Sequence, residues 1–126
     1  MKTLVSMIVA ALLQSPAAPK KGGNPEAAKI RNPVAASADS TAAGKRVYTR
    51  MCSRCHGPEG KGDGTAATAP VPDLTDAKWD YGGSDGEIFS VVHDGVSADM
   101  DGYAARLSDT DIWNVVNYVR SVAAKP

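Results

Sequence analysis

The clearest hydrophobic rhythm lies near the end of the chain. Ile112, Val115, Val116, Val119 and Val122 recur at steps of three and four, the period of one helix face. Trp113 and Tyr118 widen that face. Ser108 stands before it as an N-cap with Asp111 at the third position, a capping box, and Leu107 with Ile112 fits a hydrophobic staple. The pattern predicts a helix over 109–123. A second helix is predicted from about Thr41 up to the Cys52–His56 run, with Gly44, Tyr48, Met51, Cys52 and Cys55 on one side and Lys45, Arg46, Arg50 and Arg54 on the solvent side. A third begins at Ser84, boxed by Glu87, carries Ile88, Val91 and Val92, and stops at Gly95. No strand-like run flanks the Cys52–His56 run, and residues 57–79 show no strand alternation.

The remaining stretches frame these helices. Lys2 precedes an apolar run over residues 3–13, and Ser15-Pro16-Ala17 supplies small residues for cleavage, the layout of a secretory signal peptide over 1–17. That run is shorter than the roughly 20 residues that span a bilayer, which argues against an uncleaved membrane anchor and for no stable span after cleavage. Residues 18–38 are rich in Ala, Pro, Gly and Lys without apolar periodicity and are read as a flexible linker. The folded domain is expected over 39–126. Residues 57–79 are Gly- and Pro-rich loop; Gly60-Lys61-Gly62-Asp63-Gly64 follows a helix end instead of a strand, so it is no phosphate loop.

Composition changes the picture in one respect. From Gly44 onward there are eighteen large apolar side chains, only one of them a phenylalanine, Phe89. So small a core needs a staple or a cofactor. Charge is balanced over the chain, at 14 Lys+Arg against 14 Asp+Glu. No basic stripe of the kind that binds nucleic acid stands out. The domain from Gly44 has nine basic and twelve acidic residues, net −3, which predicts a docking face that is not strongly basic.

The chemistry sits in Cys52-x-x-Cys55-His56, the C-x-x-C-H attachment sequence of c-type haem. Two helical residues three apart share a face, so both thiols reach one porphyrin edge, and the next residue can turn its imidazole under the iron. A thiol–disulfide pair would want a βαβ context, and a structural zinc would want four ligands at finger-like spacing; neither is present. The candidates for a second iron ligand are Met100 and His93, because Met1 and Met7 belong to the leader and Met51 abuts Cys52. Met100 lies in a glycine-flanked loop able to fold over a haem face. His93 ends a helix before Asp94-Gly95, where a cation is favoured as a surface residue. Met100 is therefore the expected ligand.

With these motifs the chain resembles the class I cytochromes c over about residues 32–123. The stretches AAGKRVYTRMCSRCHGPEGKGDG, WDYGGSDGEIFSVVHDGV and LSDTDIWNVVNYVRS carry the resemblance. It implies an all-α cytochrome c fold of three to four helices wrapped around one haem c, covalent through Cys52 and Cys55, with His56 and Met100 on the iron. It also implies that Gly44 and Tyr48 cross Val115 and Tyr118 of the last helix. Relatives of this kind serve quinoprotein-type dehydrogenases and terminal oxidases. The expected function is a periplasmic, non-enzymatic carrier of single electrons between redox proteins: a dehydrogenase, a terminal oxidase or another cytochrome. The alternative is a haem peroxidase or gas-binding sensor with a labile methionine. Asp101-Gly102, which follow Met100 where relatives have proline, motivate it. A second departure from the family pattern is Thr65, nine residues after His56, where relatives often have a proline whose carbonyl can orient the imidazole.

Overall fold

The computed structural model describes residues 18–125, so the expected signal peptide lies outside the described residues. The elements run α1 (Pro25–Ala28), α2 (Ala38–Met51), α3 (Ser53–His56), α4 (Asp85–Asp94), β1 (Gly95–Ser97), β2 (Met100–Asp101) and α5 (Asp109–Val122). Among the described residues, no helix is long and apolar enough to cross a membrane.

Each long helix starts at a serine. Ser37, Ser84 and Ser108 accept from the amides of Ser40, Glu87 and Asp111, which satisfies donors left open in a first turn. Ser37 thus starts α2 three residues before the expected Thr41. The capping box at Ser84 is complete, with the Glu87 carboxylate returned to the Ser84 amide. At Ser108 only the serine half of the box forms.

The crossing of α2 and α5 is the centre of the core. Tyr48, Ile112 and Val115 are fully buried there, and Val116 is fully buried on the other side of α5 with Ile88 and Trp113. A Cβ built on Gly44 would sit 1.9 Å from the Asn114 carbonyl oxygen and 2.9 Å from Tyr118 Cβ, so only glycine lets the two backbones approach this closely. Gly44 meets the Asn114 main chain and Tyr118, and Val115 shares a buried cluster with Val47, Tyr48 and Tyr118. Tyr48 and Tyr118 pack with ring centroids 5.1 Å apart, tilted at 54°. Arg120 ties α5 to the start of α4, with Nε 2.8 Å from Asp85 Oδ1.

Two expectations need correction. The Gly95–Tyr103 loop contains a small antiparallel hairpin, β1 with β2, pairing Gly95 with Asp101 and Ser97 with Met100; strands of two and three residues are too short to show alternation. The linker expected over 18–38 is docked for much of its length. Ala27 is fully buried, and the Asn24 amide donates to Glu87 Oε2 at 2.8 Å. Asn117, buried on α5, donates Nδ2 to the Val34 carbonyl at 3.1 Å and to Ser40 Oγ at 2.8 Å, while its oxygen accepts from Asn32 at 2.8 Å. Val34 packs against Ile88, Trp113 and Val116. The segment is held mostly by main-chain and amide groups, which leave no hydrophobic period to read.

Candidate functional site

A mostly apolar cavity of about 550 Å³ opens between α2–α3, the 66–82 loop, α4, the hairpin and α5. That is within the range of sites that enclose a cofactor. From α2 and α3 it is lined by Met51, Cys52, Cys55 and His56; from the loop by Pro70, Leu74 and Trp79; from α4 by Ile88, Val91 and Val92; from the hairpin region by Met100 and Tyr103; and from α5 by Val115 and Val119. The structure thus brings together Cys52, Cys55, His56 and Met100. His93 is not on this surface. It stacks on Phe89, centroids 5.3 Å apart, with Nδ1 2.7 Å from Asp94 Oδ1.

Local geometry explains the attachment turn. α2 ends at Met51, Cys52 caps it, and one further turn, α3, carries Cys55 and His56. Gly57 stops that turn at φ 85°, a left-handed conformation unfavourable to other residues. The buried Tyr48 hydroxyl donates to the Gly57 carbonyl and anchors the turn to the core.

Cys52 and Cys55 form no disulfide with each other. Burial pushes Cys52 up to about 11, with Cys55 adding to the shift. A redox-active pair requires the opposite, a thiol depressed toward the thiolate. Among the described residues no group of three or more His, Cys, Asp or Glu side chains is placed to hold a metal ion. Burial lowers the His56 pKa and keeps its imidazole neutral, as an iron ligand must be. His56 Nδ1 is buried without a hydrogen-bond partner, the condition of an imidazole completed by a group other than polypeptide. Thr65, exposed in its loop, supplies no carbonyl bond to it. Neutral thiols, a neutral imidazole and a thioether around an apolar slot fit a covalently attached haem.

The loop bearing Met100 is less free than its Asp101-Gly102 sequence implies. The Tyr103 amide donates to the Val92 carbonyl at 2.9 Å and the Ala104 amide to that of His93 at 3.2 Å. A Cβ on Gly102 would sit 2.5 Å from the His93 oxygen, so the absent proline is replaced by a close backbone approach. The Gly- and Pro-rich 57–79 loop wraps the cavity edge and contributes Leu74 and Trp79 to its walls.

Fold and site together define a c-type cytochrome domain. Residues 39–119 match the family described as "Cytochrome C oxidase, cbb3-type, subunit III", and the chain belongs to that family. Its cofactor is accordingly haem c. The chain is 34% identical over 93 residues to the Cbb3-type cytochrome c oxidase subunit CcoP of Azospirillum sp. (strain B510), an alignment covering 72% of this chain and 31% of that protein. It therefore spans about a third of the length of such relatives. Among solved structures, a chain of the Kuenenia stuttgartiensis reducing HAO-like protein complex aligns with a TM-score of 0.67 at 28% identity, over 75% of this chain and 50% of that one. Cytochrome c6 of the diatom Phaeodactylum tricornutum aligns with a TM-score of 0.55 at 30% identity, over 66% of this chain and 93% of that one.

Proposed function

We propose that this protein is a periplasmic carrier that passes single electrons between redox proteins, a dehydrogenase or another cytochrome on one side and a terminal oxidase on the other, and transforms no substrate itself. The reading is supported most by the convergence of Cys52, Cys55, His56 and Met100 on one apolar cavity. Cys52 and Cys55 would hold the haem by thioether links, and His56 and Met100 would ligate its iron. Once bound, the haem would supply a one-electron centre. The protein's own part is to position those four side chains and to exclude water with Leu74, Trp79 and Val92. A histidine–methionine pair raises the reduction potential, as suits an acceptor of electrons.

Export is inferred from the apolar run at residues 3–13. The hydrogen bonds that pin Tyr103 and Ala104 favour a retained Met100 over the peroxidase or gas-sensor reading. The test is the visible spectrum of the purified protein in both redox states, with carbon monoxide added to the reduced form. A low-spin spectrum with a methionine–iron band and slow, incomplete carbon monoxide binding is expected. A high-spin spectrum with rapid, complete binding at neutral pH overturns the carrier reading.

A further inference from the structure

The net charge of −3 hides a local concentration of the opposite sign. Lys45, Arg46, Arg50 and Arg54 are all exposed on α2 and the turn that follows it. Arg46, Arg50 and Arg54 succeed one another at steps of four, so like charges stand one above another. Such a spacing opposes helix formation unless carboxylates offset it. None does: among the described residues the ion pairs of Lys and Arg with carboxylates are Lys29–Glu26, Lys61–Glu59 and Arg120–Asp85, and no cation of α2 takes part. Between the cations, Ala42 and Thr49 keep the surface low, and with Lys45, Arg46 and Arg50 they line a shallow recess.

The position of the stripe gives it direction. Arg50 and Arg54 also line the haem cavity, so the cationic face of α2 runs to the edge of the cofactor. The acids at the cavity edge belong to other segments, Asp80 to the loop before α4, Asp99 and Asp101 to the hairpin. The two remaining cations there are differently placed. Arg106 lies over the Tyr103 ring, 4.1 Å from its centroid, and Lys78 shares its loop with Asp76 and Asp80. The cavity edge is therefore flanked by a positive helix face and a negative hairpin.

We infer that the Lys45–Arg46–Arg50–Arg54 face is the docking surface for an acidic redox protein, which it steers onto the cavity edge next to Cys52 and Cys55. The inference rests on the electron-carrier reading above. Opposed charge speeds encounter and sets orientation more than it adds affinity, and its effect weakens with salt. A membrane of anionic lipid would meet the same cations, but contact with lipid gives no reason for the stripe to end at the cofactor.

The test uses the holoprotein and a strongly acidic blue-copper protein as probe, with electron transfer followed by stopped flow. The wild-type rate is expected to fall as salt rises. Arg46→Glu with Arg50→Glu should lower it about tenfold at low salt. A rate unchanged in the double arginine variant, or unaffected by salt in the wild type, overturns the inference. Sedimentation with phosphatidylglycerol vesicles is the second arm. Binding abolished in the arginine variant, with its electron-transfer rate unchanged, assigns the face to a membrane and also overturns it. An uncharged small-molecule mediator separates the two readings: a protein that exchanges no electron even with the mediator fails as a carrier, whereas normal exchange confines any failure to the docking face.

Discussion

The Tyr103 hydroxyl donates to the main-chain oxygen of Met51 at 3.0 Å. This bond joins the segment carrying Met100 to the helix end that carries Cys52, across 52 residues of chain. Burial, with a smaller contribution from Cys52, raises the Tyr103 pKa, so the hydroxyl stays a donor through neutral pH. Tyr103→Phe keeps the ring and removes the latch. It should cost about 1 kcal/mol of stability and loosen Met100 selectively. The expected result is a weaker methionine–iron band and carbon monoxide binding several-fold faster than wild type, with a small drop in denaturation midpoint. An unchanged band and binding rate would show that the Val92 and His93 carbonyls suffice to hold the loop.

Gly44→Ala should be far more damaging than its single methyl suggests. The new carbon would meet the Asn114 carbonyl oxygen at 1.9 Å, a backbone atom that moves only if the helices separate. Separation would also part Tyr48 from Tyr118. Overpacking of this kind costs roughly 1–3 kcal/mol, and the rigid neighbour places this site at the upper end. A lowered midpoint of chemical denaturation with an unchanged slope is expected; retention of wild-type stability would mean that α2 and α5 slide without cost.

What the sequence made legible follows its signals. The long helices were readable because Ser84, Ser108 and the valine series of α5 combine cap and period, and the cofactor site because Cys52, Cys55 and His56 sit within one turn. Met100 could be found by elimination among four methionines. The docked segment over residues 24–35 could not. Its partners are Glu87, which looked like a capping residue, and Asn117, which interrupts an otherwise apolar helix face. Both use side chains of modest local meaning to bind main-chain groups far away in sequence, at separations of 63 and 83 residues. Gly86 gave as little warning: a Cβ there would sit 2.0 Å from the Ala27 oxygen, yet a glycine in the first turn of a helix has no distinctive pattern. The cations of α2 were visible, but their lack of carboxylate partners is a property of the folded surface.

Glu87 makes the docked segment sensitive to acid. Burial alone pushes its carboxyl upward, but bonds from the Ser84 hydroxyl and the Asn24 and Ser84 amides outweigh this and hold it below the ordinary carboxylate value. A depressed folded-state pKa contributes stability that is present above the unfolded value, about 4.3 for glutamate, and is lost as pH falls through the lower folded value. Amide-exchange protection at Gly22 and Asn24 should therefore persist at neutral pH and fall as the solution is acidified below about pH 4. Glu87→Gln should weaken protection at neutral pH and flatten its acid dependence. A protection profile in the variant that follows pH as the wild type does would transfer the effect to another carboxylate.

The cavity sets the cost of losing the haem. Without the haem the apolar walls face an open, hydrated space of about 550 Å³, and with so few large side chains they have nothing to refill it. Collapse would relieve that exposure at the expense of the cluster that joins Val92, Leu107 and Val119 to Val47 and Tyr48 of α2. Cys52→Ala with Cys55→Ala, which removes both points of attachment, should therefore yield a chain of polypeptide mass alone that has lost most of its far-ultraviolet helical signal and unfolds without cooperativity. A haem-free variant with a sharp, wild-type-like transition would mean that the α2–α5 crossing is a self-sufficient core and that the cofactor adds chemistry without adding structure.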